Sequence, residues 1–214
     1  MAGTGFKALN LSLGSTHPEQ LRRFRRPDVR AAFDRALACA ERQAMTAVGY
    51  IIVGAPHQSA EESVDDLLFL AQRRVLAGVS VFYPAPGSAD FDLCRRLALL
   101  PGSLDRMRSS ALPIEHTTRR VDAVTLLRLG RIVNFMKYLL DRRLLIPPPQ
   151  SSGTETLDPA DRISSGSRLL ARFLADGRIR GLTPEGQLYE HRTTPRLTER
   201  FLRGLNAISP RGTL

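Results

Sequence analysis

The chain has 214 residues, 43% of them hydrophobic and 24% charged, which is the composition of a globular protein. Its longest apolar runs, Val48–Val53 and Val79–Phe82, fall far short of the ~20 residues that cross a bilayer, and the N-terminus MAGTGFKALN lacks the basic-then-apolar layout of a signal peptide. The formal net charge is +10, and 29 of the 31 basic residues are arginine. A basic chain suits an anionic partner. The arginine bias, however, is equally the mark of a GC-rich genome, so nucleic-acid binding stays a minor expectation. A cytoplasmic protein with no membrane segment is the default.

In chain order, Phe6–Gly14 (FKALNLSLG) reads as a buried strand. Thr16-His17-Pro18-Glu19 opens a short helix, with proline in its first turn. The basic run Arg22, Arg23, Arg25 and Arg26 follows. From Pro27-Asp28, apolar residues spaced by three and four predict a helix through about Gln43.

Thr46–Gln58 (TAVGYIIVGAPHQ) is the stretch around which the rest is organised. Its apolar run predicts a fully buried parallel strand ending in a turn at Gly54-Ala55-Pro56. Ser59 and Glu62 form a capping box for the next helix. Gly78–Ser88 (GVSVFYPAPGS) repeats the strand-and-loop pattern, and Ser88 or Asp90 opens a helix stopped at Leu100-Pro101-Gly102. Three strand–loop–helix units place their small-residue loops at the carboxyl ends of parallel strands, where such folds bind ligands.

The pattern changes near residue 110. Ser103–Thr118 is irregular, Val121–Leu144 reads as a long helix, and Pro147–Gly153 reads as a linker. Ser167–Leu174 is helical. Arg178–Leu182 and Gln187–His191 flank Thr183-Pro184-Glu185-Gly186 as a small hairpin, and Pro195–Leu205 is a last helix. The expected organisation is therefore α/β: residues 1–110 an incomplete (β/α) TIM-like barrel of three parallel β-α units, and residues 111–214 a mostly helical C-terminal extension. Three units do not close a barrel, and a three-stranded sheet leaves two edges. The expectation is that the first half of a larger sheet is absent or comes from another chain.

The residues alone assign a ligand-binding half-sheet. Ser12 and Ser15, Gly54 and Pro56, and Tyr83, Pro84, Gly87 and Ser88 supply hydroxyls and close backbone approach, though each also serves as an ordinary turn or packing residue. Arg25 or Arg26 suits a carboxylate or phosphate, or is a solvated helix end. No Walker loop, GxGxxG, GxSxG elbow or metal-ligand spacing occurs. Cys39 and Cys94 form no CxxC and read as inert thiols; the four histidines stand isolated in sequence.

The stretches SLGS at 12–15, LRRFRRPDV at 21–29, GYIIVGAPHQSAEES at 49–63 and GVSVFYPAPGS at 78–88 resemble, in order and spacing, the C-terminal half of a radical SAM enzyme barrel. The nearest groups are the coproporphyrinogen-oxidase-like and cobalamin-domain-bearing radical SAM proteins, and the likeness covers about residues 3–100. It implies that Ser12 and Ser15 lie near the ribose or methionyl part of S-adenosylmethionine and that Arg26, or else Arg25, meets its carboxylate. It implies also that Ile52 and Gly54 pack against adenine and that Tyr83 and Pro84 end the strand contacting the adenine edge. Tyr50 stands where relatives commonly carry a ribose-binding Asp, which points to a different subgroup. The family's chemistry also needs three cysteines in CxxxCxxC to hold a 4Fe-4S cluster. Cys39 and Cys94 cannot supply them, so the cluster is expected only from a missing N-terminal half or an iron–sulfur partner chain. Alone, the chain is not expected to cleave the cofactor into a radical. The competing expectations are a non-catalytic partner module and a nucleic-acid-binding basic module. The small-molecule substrate is not implied.

Overall fold

The computed structural model describes residues 5–108, 114–150 and 156–208. Three strands, β1 (Ala8–Gly14), β2 (Thr46–Val53) and β3 (Leu76–Val81), form one parallel sheet in the order β1-β2-β3. The connections are helical, as parallel pairing requires. α1 (Pro18–Arg23) and α2 (Arg30–Arg42) lie between β1 and β2, and α3 (Ala60–Ala71) lies between β2 and β3. The protein is thus α/β with an open sheet.

Local chemistry starts the helices where the sequence predicts. The Ser59 hydroxyl accepts from the Glu62 amide at 3.2 Å, and the Glu62 carboxylate accepts from the Ser59 amide at 2.9 Å, closing the capping box of α3. Ser88 accepts from Phe91 N at 3.1 Å and opens α4 (Ala89–Arg96). A short 3-10 turn covers Leu104–Arg108. The long segment is α5 (Arg120–Asp141), and β4 (Arg180–Leu182) and β5 (Leu188–Glu190) form the expected antiparallel hairpin. α7 spans Pro195–Ile208. α6 (Arg162–Asp176) begins earlier than the periodicity suggests, at Arg162 rather than Ser167, because Asp161 caps it by accepting from Ser164 N at 3.0 Å. Of the Pro-rich linker, Gln150 donates its amide to Ala171 O, and residues 151–153 lie outside the described residues.

Among the described residues α2, α3 and α5 pack on one side of the sheet. On that side Leu13, Ala47, Ile51, Val53 and Ala77 are buried in a single core with Val64, Leu67 and Leu70 of α3. The same core takes in Leu126, Leu129 and Val133 of α5, Phe173 of α6 and Leu197, Phe201 and Leu205 of α7. Packing is therefore continuous across the change of pattern near residue 110. α5 approaches β3 so closely that a Cβ on Gly130 would stand 2.7 Å from Val79 Cγ2, so only glycine fits. The Asn134 side chain then takes the place of a fourth strand: its Oδ1 accepts from Ala77 N at 2.7 Å and its Nδ2 donates to Ala77 O at 2.9 Å. That satisfies part of the free edge of β3. Among the described residues no strand pairs with the outer edge of β1.

The opposite face corrects the expectation of fully buried strands. Register pairs Ser12 with Tyr50 and Tyr50 with Gly78, so these residues share one side, and there Ser12 is exposed and Tyr50 is 38% exposed. Phe6, read as part of the buried strand, precedes β1 and is 61% exposed. With α2, α3 and α5 on the other face, alternate strand residues here lose much of their cover, and β2 is well buried on one side rather than both.

One buried charge locks α5 to α3. Lys137 donates from Nζ to Leu70 O at 2.8 Å and also to Arg73 O, closing off carbonyls at the C-terminal end of α3. Burial lowers its pKa to about 8, against a smaller upward pull from Asp141 and with a further push down from Arg73. Between about pH 8 and pH 10.5 the unfolded chain holds a proton on this lysine that the folded chain has released. Stability therefore rises with pH through that window, by up to ~3 kcal/mol. Urea unfolding from pH 7.5 to 10.5 should show this rise in the wild type, and Lys137→Met should remove it. Parallel pH profiles for the two proteins would refute the assignment.

Candidate functional site

The carboxyl ends of the three strands form one rim, and two of its turns begin on left-handed glycines: Gly14 (φ 77°) and Gly54 (φ 78°). At Gly54 a Cβ would meet no atom within 4 Å, so there is room beside the turn after β2, although the glycine itself is buried. A ligand can approach that backbone closely.

Arg26 and Ser12 meet at this rim. The Arg26 Nη1 donates to Ser12 Oγ at 2.7 Å, and both side chains are otherwise exposed. α1 makes this possible. It is two turns long and ends in a tight reversal, with Arg25 at φ 53° and Arg26 N donating back to Leu21 O at 2.9 Å. The reversal carries Arg26 over the end of β1 and leaves Arg25 exposed in the turn. A guanidinium with one hydrogen bond spent on a hydroxyl keeps its other donors for an anion.

Ser15 is placed differently. It is fully buried, and its hydroxyl accepts from His17 N at 3.1 Å. It belongs to a buckle between the loop after β1 and α3. There the Asp66 Oδ1 accepts from both the amide and the hydroxyl of Thr16, each at 2.6 Å. Burial raises the pKa of Asp66, opposed by the Thr16 and Ser15 hydrogen bonds and by the charge of His17. Ser15 thus sits behind the rim, away from the open face, whereas Ser12 is on it.

The turn after β2 is held by a residue that sequence reading passed over except as a motif letter. Gln58 is completely buried; its Oε1 accepts from Ala55 N at 3.1 Å and its Nε2 donates to Ile52 O at 2.8 Å. Its own carbonyl accepts from the Thr117 and Thr118 hydroxyls at 2.7 and 2.9 Å. Residues 117–118 therefore cross the rim and hold it from above. His57 and His116, isolated in sequence, are partners here: His57 N donates to His116 Nδ1 at 3.2 Å, and the rings stand 4.7 Å apart edge to face. Arg23 Nη1 donates to His57 O at 3.0 Å, tying α1 to the same turn.

The remaining expected site residues lie around a second, small apolar cluster at the rim. Ala55, Phe82, Cys94 and Ile114 are buried together, with Ile52, Tyr83 and Phe24 packed against them. Burial raises the Tyr83 phenol above its ordinary value. Pro84 is buried beside it in the chain. The structure thus brings Ser12, Arg26, Ile52, Gly54, Tyr83 and Pro84 to the strand ends, and sets Ser15 beneath them. It adds Tyr50, whose ring lies flat over Gly78, since a Cβ there would be 2.6 Å from it. This makes an exposed aromatic shelf on the open face between Ser12 and Gly78.

No family model matches the chain. No curated protein matches it either. The site must be judged on its own chemistry. A guanidinium, a hydroxyl, an open glycine turn and an aromatic shelf fit a ligand bearing a carboxylate and a flat ring. An iron–sulfur cluster does not fit: Cys39 is exposed, Cys94 is buried, and the described residues hold no group of three His, Cys, Asp or Glu side chains placed for a metal ion. No helix of the described residues is long and apolar enough to cross a membrane.

Proposed function

We propose that the open face and the rim of strand ends bind S-adenosylmethionine, and that the chain is the cofactor-binding half of a radical SAM-type (β/α) barrel. The observation that carries this reading is the Arg26–Ser12 pair, set at the carboxyl end of a parallel strand beside the sheet face on which Ser12 and Tyr50 are exposed. Arg26 would take the methionyl carboxylate, with Ser12 orienting the guanidinium and offering its hydroxyl. The turn at Gly54 would admit the adenine edge into the room beside the glycine, against Ile52, with Tyr83 and Pro84 as the far wall. Tyr50 would supply a stacking surface in place of a carboxylate that bonds the ribose.

When bound in a complete enzyme of this kind, the cofactor supplies a sulfonium carbon–sulfur bond open to reductive cleavage. The present residues bind and orient; they supply no electron and hold no cluster. Catalysis through this site would therefore need a second polypeptide segment that brings the iron–sulfur centre, and the free edge of β1 is where a further parallel strand would pair.

Isothermal titration of the full chain with S-adenosylmethionine tests the reading. Wild type should bind, Arg26→Ala should weaken binding by about tenfold or more, as expected for loss of a charge-assisted contact, and Gly54→Trp should abolish it. Arg26 is exposed, so its truncation should leave circular dichroism unchanged; Gly54 is buried at φ 78°, where any side chain is strained, so its variant counts only when circular dichroism shows it folded. Wild-type affinity in both variants would sink the site. A folded chain that does not bind the cofactor would favour a non-catalytic partner module.

A further inference from the structure

Far along the chain from the strand-end loops, α5 and the β4–β5 hairpin enclose two adjoining hollows that share Arg128. The first, about 200 Å³, is floored by apolar side chains of three elements: Ile132 and Phe135 of α5, Leu170 and Phe173 of α6, and Ile179 before β4. α6 comes this close because Gly166 faces the Phe135 ring, where a Cβ would stand 2.5 Å from Cζ. The second, about 540 Å³, is lined by Arg119, Arg120, Arg128 and Arg192. Its one carboxylate, Glu115, is already accepting from Arg120 N at 2.6 Å.

Three of the arginines here are uncompensated. Among the described residues Arg128, Arg131 and Arg192 make no ion pair, whereas Arg180 and Arg119, which line the same hollows, pair with Asp176 and Asp122. The crowding is visible in the titrating groups: burial and Arg131 lower Arg128, and burial with Arg128 and Arg131 lowers His191. Tyr189, on the same hairpin, acts in the other direction on Arg128, and Arg180 is satisfied by Asp176. Like charges gathered beside an apolar hollow cost energy unless an anion joins them.

We propose that the double hollow binds an anionic amphiphile, a small molecule with one carboxylate or phosphate head on an unbranched apolar tail. The head lies between Arg128 and Arg192, and the tail enters between Ile132, Phe135 and Phe173. Taken together the two hollows reach the size of small-molecule sites, which run to about 300–1,000 Å³ and combine apolar walls with a few placed polar groups. The recessed apolar floor suits a free monomer rather than a lipid still seated in a bilayer. The inference does not rest on the reading of the strand ends.

Titration calorimetry of the full chain with decanoate and decyl phosphate, each as monomer, is the direct test. Both should bind. Decyltrimethylammonium, with the tail but the wrong charge, and inorganic phosphate, with the charge but no tail, should each bind at least about tenfold more weakly. Arg128→Glu should weaken both anions by a similar factor, and Ile132→Trp, which fills the apolar hollow, should remove the advantage of decyl phosphate over phosphate. Thermal melts confirm that the variants fold, and Arg192→Glu gives a second head-group variant on another element. Equal binding of the cationic and anionic amphiphiles would overturn the proposal. So would binding to anionic phosphatidylglycerol vesicles with no binding of monomeric decanoate, or unchanged affinity in both arginine variants.

Discussion

Replacing Phe201 by alanine should lower the unfolding free energy of the whole protein by about 3–5 kcal/mol, in a single transition. Phe201 is completely buried on α7, and its ring stands 6.2 Å from that of Phe173 on α6. α7 in turn is seated on α3, where Gly204 lies against Leu68 so closely that a Cβ would be 2.2 Å away. Polar links fix the same seat: Arg200 makes two bonds to Asp65 at 2.9 and 2.7 Å, and Thr194 donates to the buried Asp122 at 2.5 Å. The cavity left by Phe201 therefore opens in the core that also holds Val64 and Leu67 behind the central strand. Chemical unfolding followed by both near-ultraviolet and far-ultraviolet circular dichroism should give coincident curves. A variant that melts α7 alone, with the sheet unfolding later at the wild-type midpoint, would show that the two parts of the chain are energetically separate.

That continuity was not visible in the sequence, although the change of pattern near residue 110 was. Periodicity reports what one element does locally; it does not say which other element covers it. The elements whose information is local were therefore legible. Ser59 and Glu62 close a capping box three residues apart, and Thr183-Pro184-Glu185-Gly186 turns a hairpin by its own chemistry. β2 shows where this fails. TAVGYIIV is apolar or small on both faces, so its alternation is hidden until α2, α3 and α5 are seen to lie on one side. Tyr50, inside a run that reads as fully buried, then proves to lie on the open face.

The candidate site divides along the same line. The stretch from Ser12 to Arg26 carries its own geometry, because a short helix ending in a left-handed turn returns the arginine to the strand it left. Ser15, three residues from Ser12, belongs to a different environment because Asp66, 50 residues from Thr16, pulls the intervening loop down onto α3. The pairing of His57 with His116 spans 59 residues, and Arg128 meets Arg192 only through the hairpin. Contacts of that range are set by tertiary packing, and no short motif carries them.

Gln58→Leu should cost about 2–4 kcal/mol, more than its change in size would suggest. Leucine nearly fills the space but leaves Ala55 N–H and Ile52 C=O without the amide that now satisfies both, in a place sealed from water. Buried backbone groups are almost always paired, and restoring a partner requires the turn to move. The movement has a predictable direction of effect: Thr117 and Thr118 hold the Gln58 carbonyl, so a displaced turn also loosens the segment that crosses the rim. Amide hydrogen exchange should accelerate at Ala55 and at residues 116–118 while the middle of α3 keeps its protection. Exchange unchanged at the rim, with stability lost uniformly, would mean that Gln58 acts only as a space-filling core residue. If the local loosening is observed, Gln58→Leu becomes a probe of the strand-end site that touches none of its exposed residues. Its affinity for S-adenosylmethionine should then fall although Arg26 and Ser12 remain in place, because the buried amide of Gln58 bonds both sides of the Gly54 turn that would admit the adenine.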